Sequence, residues 1–384
     1  MTMNDLQHLK NRVASIDILR GLVILLMLVD HVRERVFLHH QVGDPMVIDE
    51  TSSALFFTRF CAHFCAPVFI FLAGASAWLY ANPSKGPTRD ASHFLFTRGL
   101  FIIALEVTLV NFSWFGAYNT LYLQVMWAIG LSMISLSLLV KLPHKVVGAL
   151  GIAIIFGHNA LDFINFAPGE WGYSAWTILH DRGFLYSGEN FGVKVSYPTL
   201  PWIGVICLGF FLAPIFSSKV SREERIGKLL RLGAFSLAAL VVIRLLNGYG
   251  EPVPWASYDS ALLTLQSFIN FTKYPPSLDF LLITLGVAFI VLALLEKYNP
   301  RKLHFLRHFG SAPLFFYVVH LYLLLAIYLV LVSIYGTNKG IYFGVDEVWQ
   351  VWAMSIVLAG VLYLPTKCFS HYKKTSQRAW VKYL

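Results

Sequence analysis

Twelve ionisable side chains stand inside long apolar runs, where a charge is costly and marks either a site or a paired structural contact: Asp17, Arg20, Asp30, His31, His63, Arg98, Glu106, His158, Asp162, Arg244, Asp279 and His320. The histidines carry most of the chemical interest, because a neutral imidazole can take a proton from an attacking hydroxyl or amine near neutral pH. His31 closes the run SIDILRGLVILLMLVDH (15–31), in which Asp17 and Arg20 stand at i, i+3 and can pair on one helix face. Gly21 in the same run lets a second backbone or a ligand come close. Asp30 and His31 are sequence neighbours, so they do not share a face and each needs a partner elsewhere. The residues alone leave two readings open for His31, a catalytic base or a histidine satisfied by a neighbouring helix. Arg20 is likewise a ligand contact or only a partner for Asp17.

In TRFCAHFCAPVFIFLAGASAWLY (58–80), His63 stands four residues before Pro67, which predicts a bend beside the histidine and space for a ligand. Gly74, Ala75, Ser76 and Ala77 form a small-residue face suited to close helix packing. Cys61, Cys65, Cys207 and Cys368 lack metal-site spacing and read as small core residues. The chain has no Walker A pattern, no dinucleotide fingerprint and no HExxH, and the pair His39–His40 is too few ligands for a site. No metal is expected.

These side chains need elements to hold them, and composition says which. The chain has 384 residues, 57% hydrophobic and 15% aromatic, with 13% charged where a soluble domain has about a quarter. Its mean hydropathy is +0.62. A soluble globular protein, a disordered chain and a disulfide scaffold are excluded. A spanning helix needs about 20 mostly apolar residues, and lipid admits only helices or closed barrels. The runs 14–32, 57–80, 94–115, 121–140, 146–164, 199–216, 229–247, 278–296, 313–334 and 349–367 therefore predict an all-α polytopic transmembrane helix bundle of about ten spans. They form a single transmembrane domain over 1–384, with a basic tail at 368–384 that reads as an inner-leaflet anchor. The first twelve residues are polar and no cleavage site follows the first run, so that run is expected to be retained.

The net charge of +9 does not point to nucleic acid, because the basic residues sit between apolar runs instead of on one solvated face. Of 30 lysines and arginines, 21 fall in the N-terminus, the even-numbered loops and the tail, which predicts that both termini are cytoplasmic. The longest loop, 165–198, is then outside, and it is aromatic enough for a lid or re-entrant segment. His31 lies about 16 Å deeper than Arg20 at the helical rise per residue. His63, Glu106, His158, Asn159 and Asp162 gather in the outer half with His320 near mid-membrane, while Arg20, Arg98 and the basic loops 219–231 and 297–307 ring the inner face. Such a layout suits a reaction that joins two aqueous sides.

SIDILRG (15–21), VDHVR (29–33) and AHFCAPVFIFLAG (62–74) resemble the membrane acyltransferase domain of heparan-alpha-glucosaminide N-acetyltransferase and its bacterial homologues, with Ala62 where the pattern usually has threonine. RGLFIIALE (98–106), QVMWAIGLSM (124–133), GHNALD (157–162), YPTLPWIGV (197–205), KYPPSL (273–278) and PLFFYVVH (313–320) are similar to bacterial patterns in the same order. The resemblance implies a multi-pass enzyme of the bacterial cytoplasmic (inner) membrane that transfers an acyl group, typically acetyl from cytoplasmic acetyl-CoA, to a sugar amine or hydroxyl at the extracytoplasmic side. It makes His31 the general base or the acyl-carrying nucleophile, with Asp30 or Glu106 orienting it and His63 as the rival base. Arg20, Arg98 and Asp17 become donor contacts, since a guanidinium matches phosphate geometry. Asn159, Asp162, Trp202, Tyr317 and His320 become acceptor contacts. The partners are then acyl-CoA, the acceptor and the lipid bilayer, without nucleic acid, and the small-residue faces leave a homodimer open. A transporter or flippase for a small anionic or glycan-linked substrate needs the same intramembrane charges, although no internal repeat supports it. A non-catalytic membrane partner is the third alternative.

Overall fold

The computed structural model describes residues 14–378 and residue 381. The polar segment 1–12 and the end of the basic tail lie outside the described residues. The main helices are α1 (Ala14–Val36), α2 (Ser53–Ala62), α3 (Cys65–Ala81), α4 (Ser92–Leu105), α5 (Val125–Leu139), α6 (His144–Gly157), α7 (Leu200–Leu212), α8 (Arg222–Leu246), α9 (Leu278–Tyr298), α10 (Leu306–Ser311), α11 (Pro313–Tyr335) and α12 (Val348–Thr375). Among the described residues, 7 helical segments are long and apolar enough to cross a membrane, and Val125–Leu139 and Leu200–Phe216 are shorter apolar helices. Helix α1 has the length but carries Asp17, Arg20, Asp30, Arg33, Glu34 and Arg35. The chain is an all-α, multi-pass membrane protein.

Several expected spans differ in detail. The second is interrupted at His63–Phe64, because Pro67 cannot donate to the carbonyl of His63 and the helix restarts at Cys65. The third widens at Glu106–Val110 into a π-helical turn before finishing as Asn111–Phe115. The fourth, expected over 121–140, begins as a strand: β1 (Thr120–Leu123) pairs parallel with β3 (Gly192–Val195), which pairs antiparallel with β2 (Gly183–Ser187). Those partners satisfy a backbone that would otherwise have to be helical. The hairpin β2–β3 and the short helix Tyr173–Leu179 fold the long loop down on this sheet. Helix α12 runs on to Thr375, past the expected end of the last span.

Burial sorts the helices into two shells. The apolar windows of Ser53–Ala81 and α9 are each 72% buried, against 28% for α8 and 22% for α12, whose Phe235, Val242, Ile356 and Val361 face outward where lipid would lie. Helix α1 is the hub, packed against α2, α3, α9, α10, α11 and α12. Two crossings bring backbones into direct contact: a Cβ on Gly21 would overlap the carbonyl oxygen of Leu306, and one on Gly74 that of Ile206. Gly74 thus serves the packing face read from the sequence, and Gly21 admits a backbone. At one end of the bundle, here the loop end, Val345 donates to Val36 O and Asn270 exchanges hydrogen bonds with Met46. At the other, the basic end, Arg222 donates to Glu296 O and Ser15 to the Glu296 carboxylate.

His180 in the long loop is held between two acids, with Nδ1 3.0 Å from Asp181 Oδ1 and Nε2 3.2 Å from Asp162 Oδ1. Burial pulls its pKa down, but the hydrogen bonds to Asp162 and Asp181 outweigh burial and raise it above 6.5. The folded loop therefore prefers the protonated ring. That stabilisation is complete below the unfolded value and is lost as pH rises through the raised folded value.

Two outcomes follow. Gly21→Val should lower the melting temperature in detergent by the equivalent of about 1–3 kcal/mol of overpacking, whereas Gly360→Val, with open space around its Cβ, should leave it nearly unchanged. Amides of 176–182, corrected for intrinsic rates, should exchange more slowly at about pH 6 than at about pH 8.5. His180→Gln should abolish that difference, and a difference surviving the substitution would remove His180 as its source.

Candidate active site

A cavity of about 390 Å³ runs alongside α1, which contributes Arg20, Met27, Asp30 and His31 to its wall. The break between α2 and α3 opens the opposite wall, where Ala62, Cys65, Ala66 and Phe69 leave room that a continuous helix would fill. Toward the basic end it is bounded by Arg20, Ser76, Tyr80, Arg98 and Lys373, and toward the loop end by Asp30, His31, Tyr197, Lys273 and Tyr317.

His31 is held by a second histidine. Its Nδ1 lies 2.7 Å from His320 Nε2, with the two rings 8° from parallel. His320 Nδ1 lies 2.8 Å from the carbonyl of Phe316, one turn back on α11. A carbonyl only accepts, so His320 Nδ1 carries the hydrogen and its Nε2 is an acceptor. For two neutral rings His31 Nδ1 must then be the donor, which leaves Nε2 of His31 with a bare lone pair. Trp114 and Tyr317 set their rings edge-on to His31 at 5.1 and 5.7 Å between centroids and fix its plane.

The other expected partners of His31 are committed elsewhere. Asp30 accepts from Arg33 Nε at 3.0 Å and Arg59 Nη1 at 2.7 Å. Arg59 reaches on to Asp44, whose second oxygen lies 2.9 Å from His63 Nε2. Burial would raise Asp44, but Arg59 and His63 hold its carboxyl well below the usual carboxylate range. His63 is therefore the hydrogen-bonded end of a buried Asp30–Arg59–Asp44 chain, closed in by the rings of Phe60 and Phe280. Glu106 is fully buried and accepts from the backbone N–H groups of Met126 and Trp127 at 2.8 and 3.2 Å, capping the first turn of α5.

Arg20 makes the expected pair with Asp17 at 3.5 Å and also donates to Leu72 O at 3.2 Å and Ser76 Oγ at 2.5 Å. Arg98 lines the cavity beside the ring of Phe94. Of the five expected acceptor contacts, Tyr317 lines the cavity and His320 stands directly behind His31. Asn159 binds Asp162 at 2.9 Å and the N–H of Leu278 at 2.9 Å, so both tie α6 to α9 and to the long loop, away from the cavity. Trp202 is fully buried between Tyr197 and Phe280. Trp114, Tyr197 and Lys273 were not singled out from sequence. Arg59 lay in view within the second span, but the two loop residues look solvated until the loop is seen to fold inward.

The family profile described as "Heparan-alpha-glucosaminide N-acetyltransferase, catalytic" matches residues 12–244, which is 233 of the 384 residues. The match includes His31 and stops short of Lys273, Tyr317 and His320. No curated protein sequence matches the chain significantly. Among the described residues no group of three or more His, Cys, Asp or Glu side chains could hold a metal ion.

The hydrogen-bond order makes a spectroscopic prediction. In protein labelled with 15N-histidine, neutral His31 should show a protonated Nδ1 and an unprotonated Nε2, and His320→Ala should release it to the common Nε2–H form. An Nε2–H signal for His31 in the unmodified protein would contradict the assignment.

Proposed function

The chain belongs to the heparan-alpha-glucosaminide N-acetyltransferase catalytic family, and from that membership we propose that it is a membrane acetyltransferase that moves acetyl from cytoplasmic acetyl-CoA to a sugar amine or hydroxyl across the bacterial inner membrane. One observation carries this reading: His31, with Nδ1 committed to His320, stands on a cavity whose far end is lined by Arg20, Arg98 and Lys373. Guanidinium and ammonium groups suit the phosphates of an acyl-CoA. The apolar walls between the two ends suit an uncharged arm, and about 16 Å of helix separates Arg20 from His31. The surplus of lysine and arginine on one set of loops supports a cytoplasmic basic end, with ten spans in one domain and both termini inside.

In this reading Nε2 of His31 takes the proton of the acceptor hydroxyl or amine while the acceptor atom bonds to the thioester carbonyl carbon. The carbon–sulfur bond breaks, and the departing thiolate receives the proton from the imidazolium. His320 is a positioning residue: it keeps Nε2 free and accepts the hydrogen bond from Nδ1, which strengthens as charge develops on His31. The same bare nitrogen would carry the acetyl group in a two-step transfer. Tyr317, edge-on to His31, is the proposed acceptor contact, and Arg20, held by Asp17 and Ser76, a donor contact.

The test is purified protein in detergent with radiolabelled acetyl-CoA and glucosamine as acceptor. His31→Ala should lower transfer by about 10²–10⁴-fold and still gain thermal stability from acetyl-CoA, as the unmodified protein does. Undiminished transfer by His31→Ala, or no stabilisation of the unmodified protein by acetyl-CoA, would defeat the proposal. Movement of unmodified sugar into proteoliposomes without acetylation would favour a transporter.

A further inference from the structure

Two stretches of the basic end differ in how their charge is met. In 219–231, Arg225 pairs with Glu296 at 3.0 Å, Lys228 pairs with Glu224 at 2.7 Å, and Arg222 donates to the carbonyls of Glu296 and Lys297. Residues 297–345 and 348–384, by contrast, contain no Asp or Glu. These two segments pack on each other at the basic end, where Ser311 on α10 meets Ser370 on α12 at 2.5 Å and Phe315 stacks on Phe369 at 4.2 Å.

Cations from both segments converge on His308. Its ring lies 5.8 Å from that of Tyr363 on α12, and the Lys367 ammonium stands 5.9 Å from the centre of the same Tyr363 ring. Burial pulls the pKa of His308 down, and Lys374, Lys367 and Arg307 pull it further. Among the described residues, Arg301, Lys302, Arg307 and Lys367 make no ion pair and no hydrogen bond. Like charges gathered without a counter-charge repel one another, and an anion placed among them relieves that repulsion.

The cluster adjoins an apolar face. Helix α12 turns Val357, Val361 and Leu364 outward at i, i+4 and i+7, where lipid would lie, and Lys367 follows three residues later. The helical rise from Val357 to Lys367 is about 15 Å, the depth of one leaflet's hydrocarbon. Phe305, exposed and 6.5 Å from Tyr363, adds an aromatic ring at this boundary. A free anion would use the cations and leave the apolar face bare. A zwitterionic headgroup would bring a further cation to segments that have no acid to receive it.

We propose that Arg307 and Lys367, beside His308, bind the phosphate of an anionic phospholipid whose acyl chains lie along Val357, Val361 and Leu364. The site is separate from the cavity, which takes Ser311 and Lys373 from the same part of the fold but not Arg307, His308 or Lys367. It does not depend on the acetyl-transfer reading.

Thermal unfolding of the purified, delipidated protein in neutral detergent tests it, with phosphatidylglycerol as the probe, phosphatidylcholine as the zwitterionic control and inorganic phosphate as the free anion. Phosphatidylglycerol should raise the melting temperature, and the other two should not. In the double variant Arg307→Gln, Lys367→Gln the phosphatidylglycerol concentration that gives half the shift should rise about tenfold or more. Lys228→Gln, which removes a cation already paired with Glu224, should leave that concentration unchanged, and stabilisation by acetyl-CoA should persist in the double variant. No shift with phosphatidylglycerol, an equal shift with phosphatidylcholine, or an unchanged half-point in the double variant overturns the proposal. An equal shift with inorganic phosphate overturns it in favour of a free-anion site, and loss of acetyl-CoA stabilisation in the double variant overturns it in favour of a donor contact. If the double variant fails to fold, Lys367→Gln decides, because an unchanged half-point there removes the site. Failure of acetyl-CoA to stabilise the unmodified protein, with the phosphatidylglycerol shift intact, would reject acetyl transfer and leave the lipid site standing.

Discussion

A charge withdrawn from water must be met by an opposite charge and by hydrogen bonds, and most of this bundle is arranged around that demand as it arises on α1. Asp30 is bound by Arg33 on its own helix and by Arg59 from α2. Arg59 then requires Asp44, and Asp44 takes His63. Each partner brings a different element inward, so the chain of ions sets the position of α2 and draws the loop after α1 into the protein. Buried pairs of this kind add little net stability over apolar packing, but breaking one strands a charge, commonly at about 3–5 kcal/mol. Their value is in specifying one arrangement.

The same rule reaches the backbone. Arg244 lies inside an otherwise apolar helix and spends its donors on four carbonyls of the loop between α8 and α9, while Glu251 collects donors from the same loop. A segment without long helices thereby becomes as well determined as the helices it joins. Glu106 repeats the device on a smaller scale by capping α5 from the π-helical turn of the third span. Arg244 and Glu106 are conspicuous in sequence as intramembrane charges, Glu251 is not, and each of the three serves to hold backbone that would otherwise lack partners.

His31 benefits from what these networks exclude. With Asp30 drawn toward arginines and Glu106 toward α5, the hydrogen-bond partner left to the imidazole is His320, whose own tautomer is set by a helix carbonyl. A histidine oriented by another histidine keeps its outward nitrogen unprotonated without a carboxylate at its back. The break that Pro67 makes in the neighbouring helix opens one wall of the cavity, while Gly21 and Gly74 let their helices cross in backbone contact.

Composition and the long apolar runs were enough to determine a helical membrane protein, because lipid permits few structures, and a histidine at the end of an apolar run stood out as a candidate because lipid tolerates few charges. Pro67 likewise announced the break beside His63, since a missing backbone donor is a local fact. Which residue meets His31, whether Asp30 or Glu106 is free to act, and where Lys273 points were decided only by tertiary structure. Those outcomes depend on pairings between residues as far apart as His31 and His320, or Met46 and Asn270. An ionisable residue in an apolar run declares that it needs a partner, and only the folded chain determines which one it finds.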